Sequence, residues 1–144
     1  MTKNLNRTII AIDYGTRRVG LAKSDPTGTI ASALTTLEVK SDKDAASQLA
    51  EIVTEHRPDR LIIGYPLLAS GDKSEKCHEI DRFITRLEQI FNGPIERVDE
   101  QYSSKEAAGV IHAHGKKAGK NKKRIDRLAA VIILQRYLEE QSAE

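Results

Sequence analysis

A single cysteine, Cys77, stands in the chain. A lone thiol forms no internal disulfide and leaves no partner for a CxxC metal site. At the polar start of an expected helix it reads as an incidental thiol, not a nucleophile. Histidine is scarce too. His112 and His114 stand two apart on an expected helix and so diverge. His56 and His78 carry no signal. Long apolar runs are missing as well. None approaches the ~20 residues that cross a bilayer. The opening stretch, MTKNLNRTII, has no signal-peptide core. The expectation is a cytoplasmic protein without a membrane partner.

What remains is an ordinary globular composition, 39% hydrophobic and 31% charged over 144 residues. That supports a single domain, 1–144, with one real core. No internal repeat or linker interrupts it. The net charge of +2 conceals an uneven layout. The segment GKKAGKNKKR (115–124) carries Lys116, Lys117, Lys120, Lys122, Lys123 and Arg124 with no acid. Those six charges exceed the net value, so the remainder of the chain carries −4. A local basic stretch suits the backbone of a nucleic acid. A solvated loop accounts for it equally well.

Residues 7–13 form an expected buried strand, Thr8 to Ile12, that ends on an acid, Asp13. Residues 17–25 and 28–39 predict two more strands, which with the first make a meander. The period then changes. Ala45, Leu49, Ile52 and Val53 predict a helix with Ser41 as N-cap and Pro58 beyond its end. A short strand follows over 59–66, then a loop, then an amphipathic helix from Ser74 to Phe91 with Ile80, Phe83, Ile84, Leu87, Ile90 and Phe91 on one face. Residues 93–100 form a fifth strand that also ends on acids. A Ser-capped helix is expected over 103–115. The last helix runs from Arg124, with Ile125, Leu128, Ala129, Ile132 and Leu138 inward. The fold class is therefore α/β. A five-stranded mixed sheet, a three-strand meander followed by βα alternation, is flanked by helices.

In such sheets the site tends to lie beyond the carboxyl ends of the strands. Asp13 closes strand one, and Asp99 and Glu100 close strand five. Asp126 opens the last helix, directly after the basic segment. Adjacent strands one, four and five would bring these acids together. Carboxylates without His or Cys suit hard, oxygen-loving Mg²⁺ or Mn²⁺, as one or two ions. Such ions activate water and steady the leaving oxygen of a phosphodiester. An acidic pit beside a basic rim is the charge layout of a nuclease. The plainer reading is that Asp13 caps a turn and Asp126 charges a helix start.

The motifs add specificity in combination. AIDYGTRRVGLAKSD, LIIGYP with a later loop glycine at Gly71, VDEQYSSKEA and RIDRLAAVIILQRYL follow one another over nearly the whole chain. Together they resemble the four motifs of the YqgF (RuvX) family. These are Holliday junction resolvases that also act as nucleases on the small-subunit ribosomal RNA precursor. The resemblance implies a ribonuclease H-like fold and metal-dependent phosphodiester hydrolysis. It implies that Asp13, Glu100 and Asp126 are the catalytic, metal-holding acids. The substrate it implies is precursor 16S rRNA, matured at its 5′ end, or branched DNA. A junction resolvase needs two sites and hence a homodimer; otherwise a monomer suffices. The chain departs from the family pattern at three places. Gln101 stands where Arg is usual, and Leu68 and Ser70 replace the usual Asn and Asp.

Rival readings remain. The DYGT turn also resembles the phosphate-holding turn of actin-like ATPases, but those need two domains around the nucleotide. A non-catalytic nucleic-acid or ribosome-binding module would use the lysines equally, yet has no need of acids beside a polyanion. Gly15 and Thr16 offer a close approach to phosphate, or a tight turn with positive φ at the glycine. Arg17 and Arg18 suit phosphate contact or a solvated strand edge. Tyr102 suits a base or the core, and Ser103 and Ser104 suit the site or a helix cap.

Overall fold

The computed structural model describes residues 8–99 and 122–142. Its elements run β1 (Ile9–Asp13), β2 (Arg18–Ser24), β3 (Ala31–Glu38), α1 (Asp42–His56), β4 (Arg60–Tyr65), α2 (Glu75–Leu87), β5 (Ile95–Asp99) and α3 (Lys122–Ser142). The sheet order is β3-β2-β1-β4-β5. The first three strands form the expected antiparallel meander, and β1, β4 and β5 run parallel. Strands one, four and five are thus neighbours, and their carboxyl ends share one edge. The helix expected over 103–115 lies outside the described residues.

Strand alternation divides the core into two faces. On β1, Ile10 and Ile12 point to the layer of α1 and α2, joined by Leu21, Leu61, Ile63, Leu49, Ile80 and Phe83. Ile9 and Ala11 point the other way, with Ala22 and Ile62, toward Ala130, Ile133 and Leu134 of α3. Asp13 continues the series of Ile9 and Ala11, so the period of two sends it to the α3 face. Residues on that face are small at Ala11, Gly20 and Ala22. A helix can therefore lie close to the sheet there.

The helix starts are written locally. Ser41 Oγ accepts from the Asp44 N–H at 3.1 Å, and Ser74 Oγ accepts from the Cys77 N–H at 3.3 Å. Helix α1 ends on Arg57 in the left-handed region, φ 48°, just before Pro58. Helix α2 stops at Leu87, and Ile90 and Phe91 pack on the core from beyond its end. Cys77 is fully buried in that core. Among the described residues no helix is long and apolar enough to cross a membrane.

Two expectations about the last helix are corrected. The described helix includes Lys122, Lys123 and Arg124, so this turn is helical instead of ending a loop. The turn is docked: Thr36 Oγ1 donates to the Lys123 carbonyl at 2.6 Å, and Lys123 Nζ meets Glu38 at 2.7 Å. Its inward face is Ala129, Ala130, Ile133, Leu134, Tyr137 and Leu138, while Ile125, Leu128 and Ile132 are only half-buried. The segment from Leu128 to Leu134 is apolar nearly all round, so its period does not select a face. Contact with the small residues of the sheet does.

Phe83 is fully buried and its ring lies 4.8 Å, centroid to centroid, from that of Tyr14. Phe83→Ala is expected to cost about 3–5 kcal/mol in urea unfolding. Ile30→Ala, at a residue 59% exposed, is expected to shift stability by less than about 0.5 kcal/mol.

Candidate active site

Asp13 ends β1 with only 5% of its surface exposed. Its cross-strand partner is Gly20 on β2. A Cβ built on Gly20 would lie 2.1 Å from the Asp126 carbonyl oxygen and 2.9 Å from the Asp126 Cβ. Helix α3 therefore touches the sheet backbone at the residue paired with Asp13. That contact places Asp126 on the same face and at the same edge as Asp13.

The two acids line one open cavity of about 310 Å³ with Tyr14, Gly15 and Thr16. Its cations are Arg17, Arg18 and Lys76. Arg18 reaches across from β2, its Nε 2.7 Å from Asp126 Oδ2, with both side chains partly buried. Arg17 is exposed. The turn after Asp13 is anchored from below. The Tyr14 hydroxyl donates to Asp42 Oδ1 at 2.5 Å, tying the turn to the start of α1. Burial and the Asp42 carboxylate push the Tyr14 phenol well above its ordinary range, so it stays protonated as a donor.

Gly15 is not in the positive-φ region; among the described residues the glycines there are Gly28 and Gly71. Its requirement is space. A Cβ at Gly15 would lie 2.6 Å from the Arg18 carbonyl oxygen. The turn is thus folded tightly on itself while Gly15 and Thr16 still border the cavity.

Strand parity fixes the face on which Asp99 lies. Arg97 on β5 points to the α2 side, where its Nε meets Asp81 Oδ1 at 3.0 Å. Glu96 and Val98 point to the α3 side, Glu96 accepting from the Tyr137 hydroxyl at 2.9 Å. Asp99 shares the parity of Arg97 and falls on the face opposite Asp13. Glu100, Gln101, Tyr102, Ser103, Ser104, Lys116, Lys117 and Lys120 lie outside the described residues. Of the departures from the family pattern, Leu68 and Ser70 sit in the loop after β4. Leu68 is 49% exposed, and Ser70 Oγ donates to Asp72 Oδ2 at 3.2 Å.

Sequence reasoning missed Gly20 and Lys76. A glycine inside a strand pattern was the signal for the first, since it marks a close backbone approach. A lysine in the first turn of α2 was the signal for the second, because that end of a helix favours acids.

Among the described residues no group of three His, Cys, Asp or Glu side chains is placed to hold a metal ion. The cavity lining supplies two carboxylates and neither His nor Cys. As a partial donor set this fits a hard divalent cation and not zinc.

The family model described as "RuvX: Holliday junction resolvase" matches residues 7–140. The chain belongs to the RuvX family. A protein of Syntrophus aciditrophicus named "Putative pre-16S rRNA nuclease" is 38% identical over 136 residues, covering 94% of this chain and 91% of that protein. One of the same name from Chloroflexus aggregans is 38% identical over 133 residues, covering 92% and 94%. Among solved structures, Thermus thermophilus RuvC in complex with a Holliday junction substrate superposes with TM-score 0.59 at 15% identity, covering 94% of this chain and 95% of that one. Fowlpox virus resolvase with Holliday junction DNA gives 0.60 at 17%, covering 93% and 98%. These likenesses establish for this RuvX member the ribonuclease H-like fold.

Gly20→Ala is expected to push α3 off the sheet beside Asp13. The cost expected is about 1–3 kcal/mol in urea unfolding. Stability equal to the parent protein would contradict the close contact between Gly20 and Asp126.

Proposed function

We propose that this RuvX-family chain works as one nuclease domain in the cytoplasm, hydrolysing phosphodiester bonds of precursor 16S rRNA with the help of Mg²⁺ or Mn²⁺. The observation that carries the reading is the meeting of Asp13 and Asp126 in one cavity, from elements far apart in sequence. Both carboxylates face a rim of Arg17, Arg18 and Lys76, which suits a polyanion beside a cation site. The relatives named as pre-16S rRNA nucleases, matched over more than nine-tenths of their length, support the RNA substrate. The family's description as Holliday junction resolvase supports a second reading, branched DNA.

Asp13 and Asp126 would hold the cation, with Glu100 as the third acid. Support for Glu100 over Asp99 comes from the family motif that VDEQYSSKEA resembles, and from Asp99 sharing the parity of Arg97, which faces α2. A divalent cation bound there supplies Lewis acidity and lowers the pKa of water. Asp13, fixed at the end of a buried strand, sets the position of the site. Asp126 closes it from the helix. The rim cations hold the phosphodiester backbone, and the lysines of 115–124 extend that grip. A module that only bound nucleic acid would gain nothing from a buried carboxylate at this place, because it repels phosphate.

Asp13→Asn keeps the shape and removes the charge. It is expected to abolish Mn²⁺-dependent cleavage of both a precursor 16S rRNA fragment and a four-way DNA junction, with an unchanged circular dichroism spectrum. Binding without cleavage by the parent protein on both substrates would favour the binding module.

A further inference from the structure

Within the proposed cation site, on which this inference rests, Arg18 holds an unexpected place. It lines the same cavity as Asp13 and Asp126, and its Nε takes Asp126 Oδ2 at 2.7 Å. Arg18 and Asp126 are 108 positions apart, so this ion pair is made only in the folded chain. It is also sheltered, with the two side chains 32% and 19% exposed. The strand period sends Arg18 to the α3 face with Gly20 and Ala22, so it is built in, not stray. A neighbouring acid, Glu38, is held by Lys123 at 2.7 Å. Glu38 is therefore already compensated when Arg18 turns to Asp126.

Two carboxylates facing one cavity repel each other when no cation lies between them. A guanidinium on one of them removes that repulsion. The same guanidinium opposes a divalent cation, both by occupying a ligand oxygen and by like charge.

We propose that Arg18 is a placeholder for the divalent cation: it neutralises Asp126 in the metal-free protein and yields that carboxylate when the cation binds. Arg18 is thus a positioning residue that keeps α3 docked and the two acids together before loading. It does so by weakening the metal's hold on the site. Charge is conserved in the exchange, since the cation takes over the compensation and the released guanidinium faces a cavity open to solvent and to phosphate.

The test is the binding of Mn²⁺ alone to the full chain, followed by calorimetry, with no nucleic acid present. Arg18→Gln removes the charge and the fork. A unit charge a few ångströms from a doubly charged ion is worth about a tenfold change in affinity even at the dielectric of water. Arg18→Gln is therefore expected to bind Mn²⁺ about tenfold more tightly than the parent. Its metal-free form is expected to melt at lower temperature, with a larger rise on adding Mn²⁺. Arg18→Lys keeps the charge and is expected to stay near the parent in both measurements. An unchanged or weaker affinity in Arg18→Gln would overturn the placeholder, the weaker case marking Arg18 as an orienter of Asp126. The underlying site is judged separately: Asp13→Asn must lose Mn²⁺ binding. Loss in that variant together with no gain in Arg18→Gln leaves the site standing and rejects only the exchange.

Discussion

The absence of a side chain at Gly20 is the constraint around which the site is arranged. Helix α3 reaches the sheet backbone there, and no larger residue leaves room for the Asp126 main chain. Because Gly20 is the cross-strand partner of Asp13, this tight contact of helix and sheet lies where the two acids meet. The rest of the α3 interface follows the same economy of size. Ala11 and Ala22 on the sheet face Ala130, Ile133 and Leu134 on the helix. Small residues on one side let larger ones on the other approach without a gap, so packing density is kept while the helix axis is drawn inward.

The opposite face does the anchoring. Ile10, Ile12, Leu21, Leu61 and Ile63 bury against α1 and α2 and make β1 a rigid rod that ends at Asp13. Tyr14 then ties the turn to the first residue of α1 through Asp42. A buried carboxylate is expensive unless something compensates it. Here Arg17, Arg18 and Lys76 line the same cavity, and the Arg18 guanidinium sits on the neighbouring acid. The same arrangement suits a polyanionic substrate and a hard metal, which is why acids and bases crowd one small cavity in a chain of modest net charge.

Much of the fold was legible in the residues. The strand meander, the change to βα alternation, and the Ser41 cap are local signals, each set by a few neighbouring residues. The ends of α2 and the inward face of α3 were not. Ile90 and Phe91 continue the helical period past the point where the helix stops, because burial alone does not require helical geometry. Around α3 the apolar residues run nearly all round, so periodicity left the face undecided. For the site, Asp13 and Asp126 were legible as misplaced acids, one on a buried strand and one beside a basic run. Lys76 and the partnership of Arg18 with Asp126 were not, since each depends on residues distant in sequence.

By itself the sequence determined the fold class, the family and the acids worth considering, because hydrophobic period, capping residues and ordered motifs all act over short stretches of chain. The tertiary structure decided which acids share a cavity. Strand parity sent Asp13 toward α3 and Asp99 away from it. The lack of a Cβ at Gly20 let Asp126 close the gap, and the fold delivered Arg18 to Asp126. Those outcomes depend on which surfaces pack against each other, and packing joins residues that no local pattern relates.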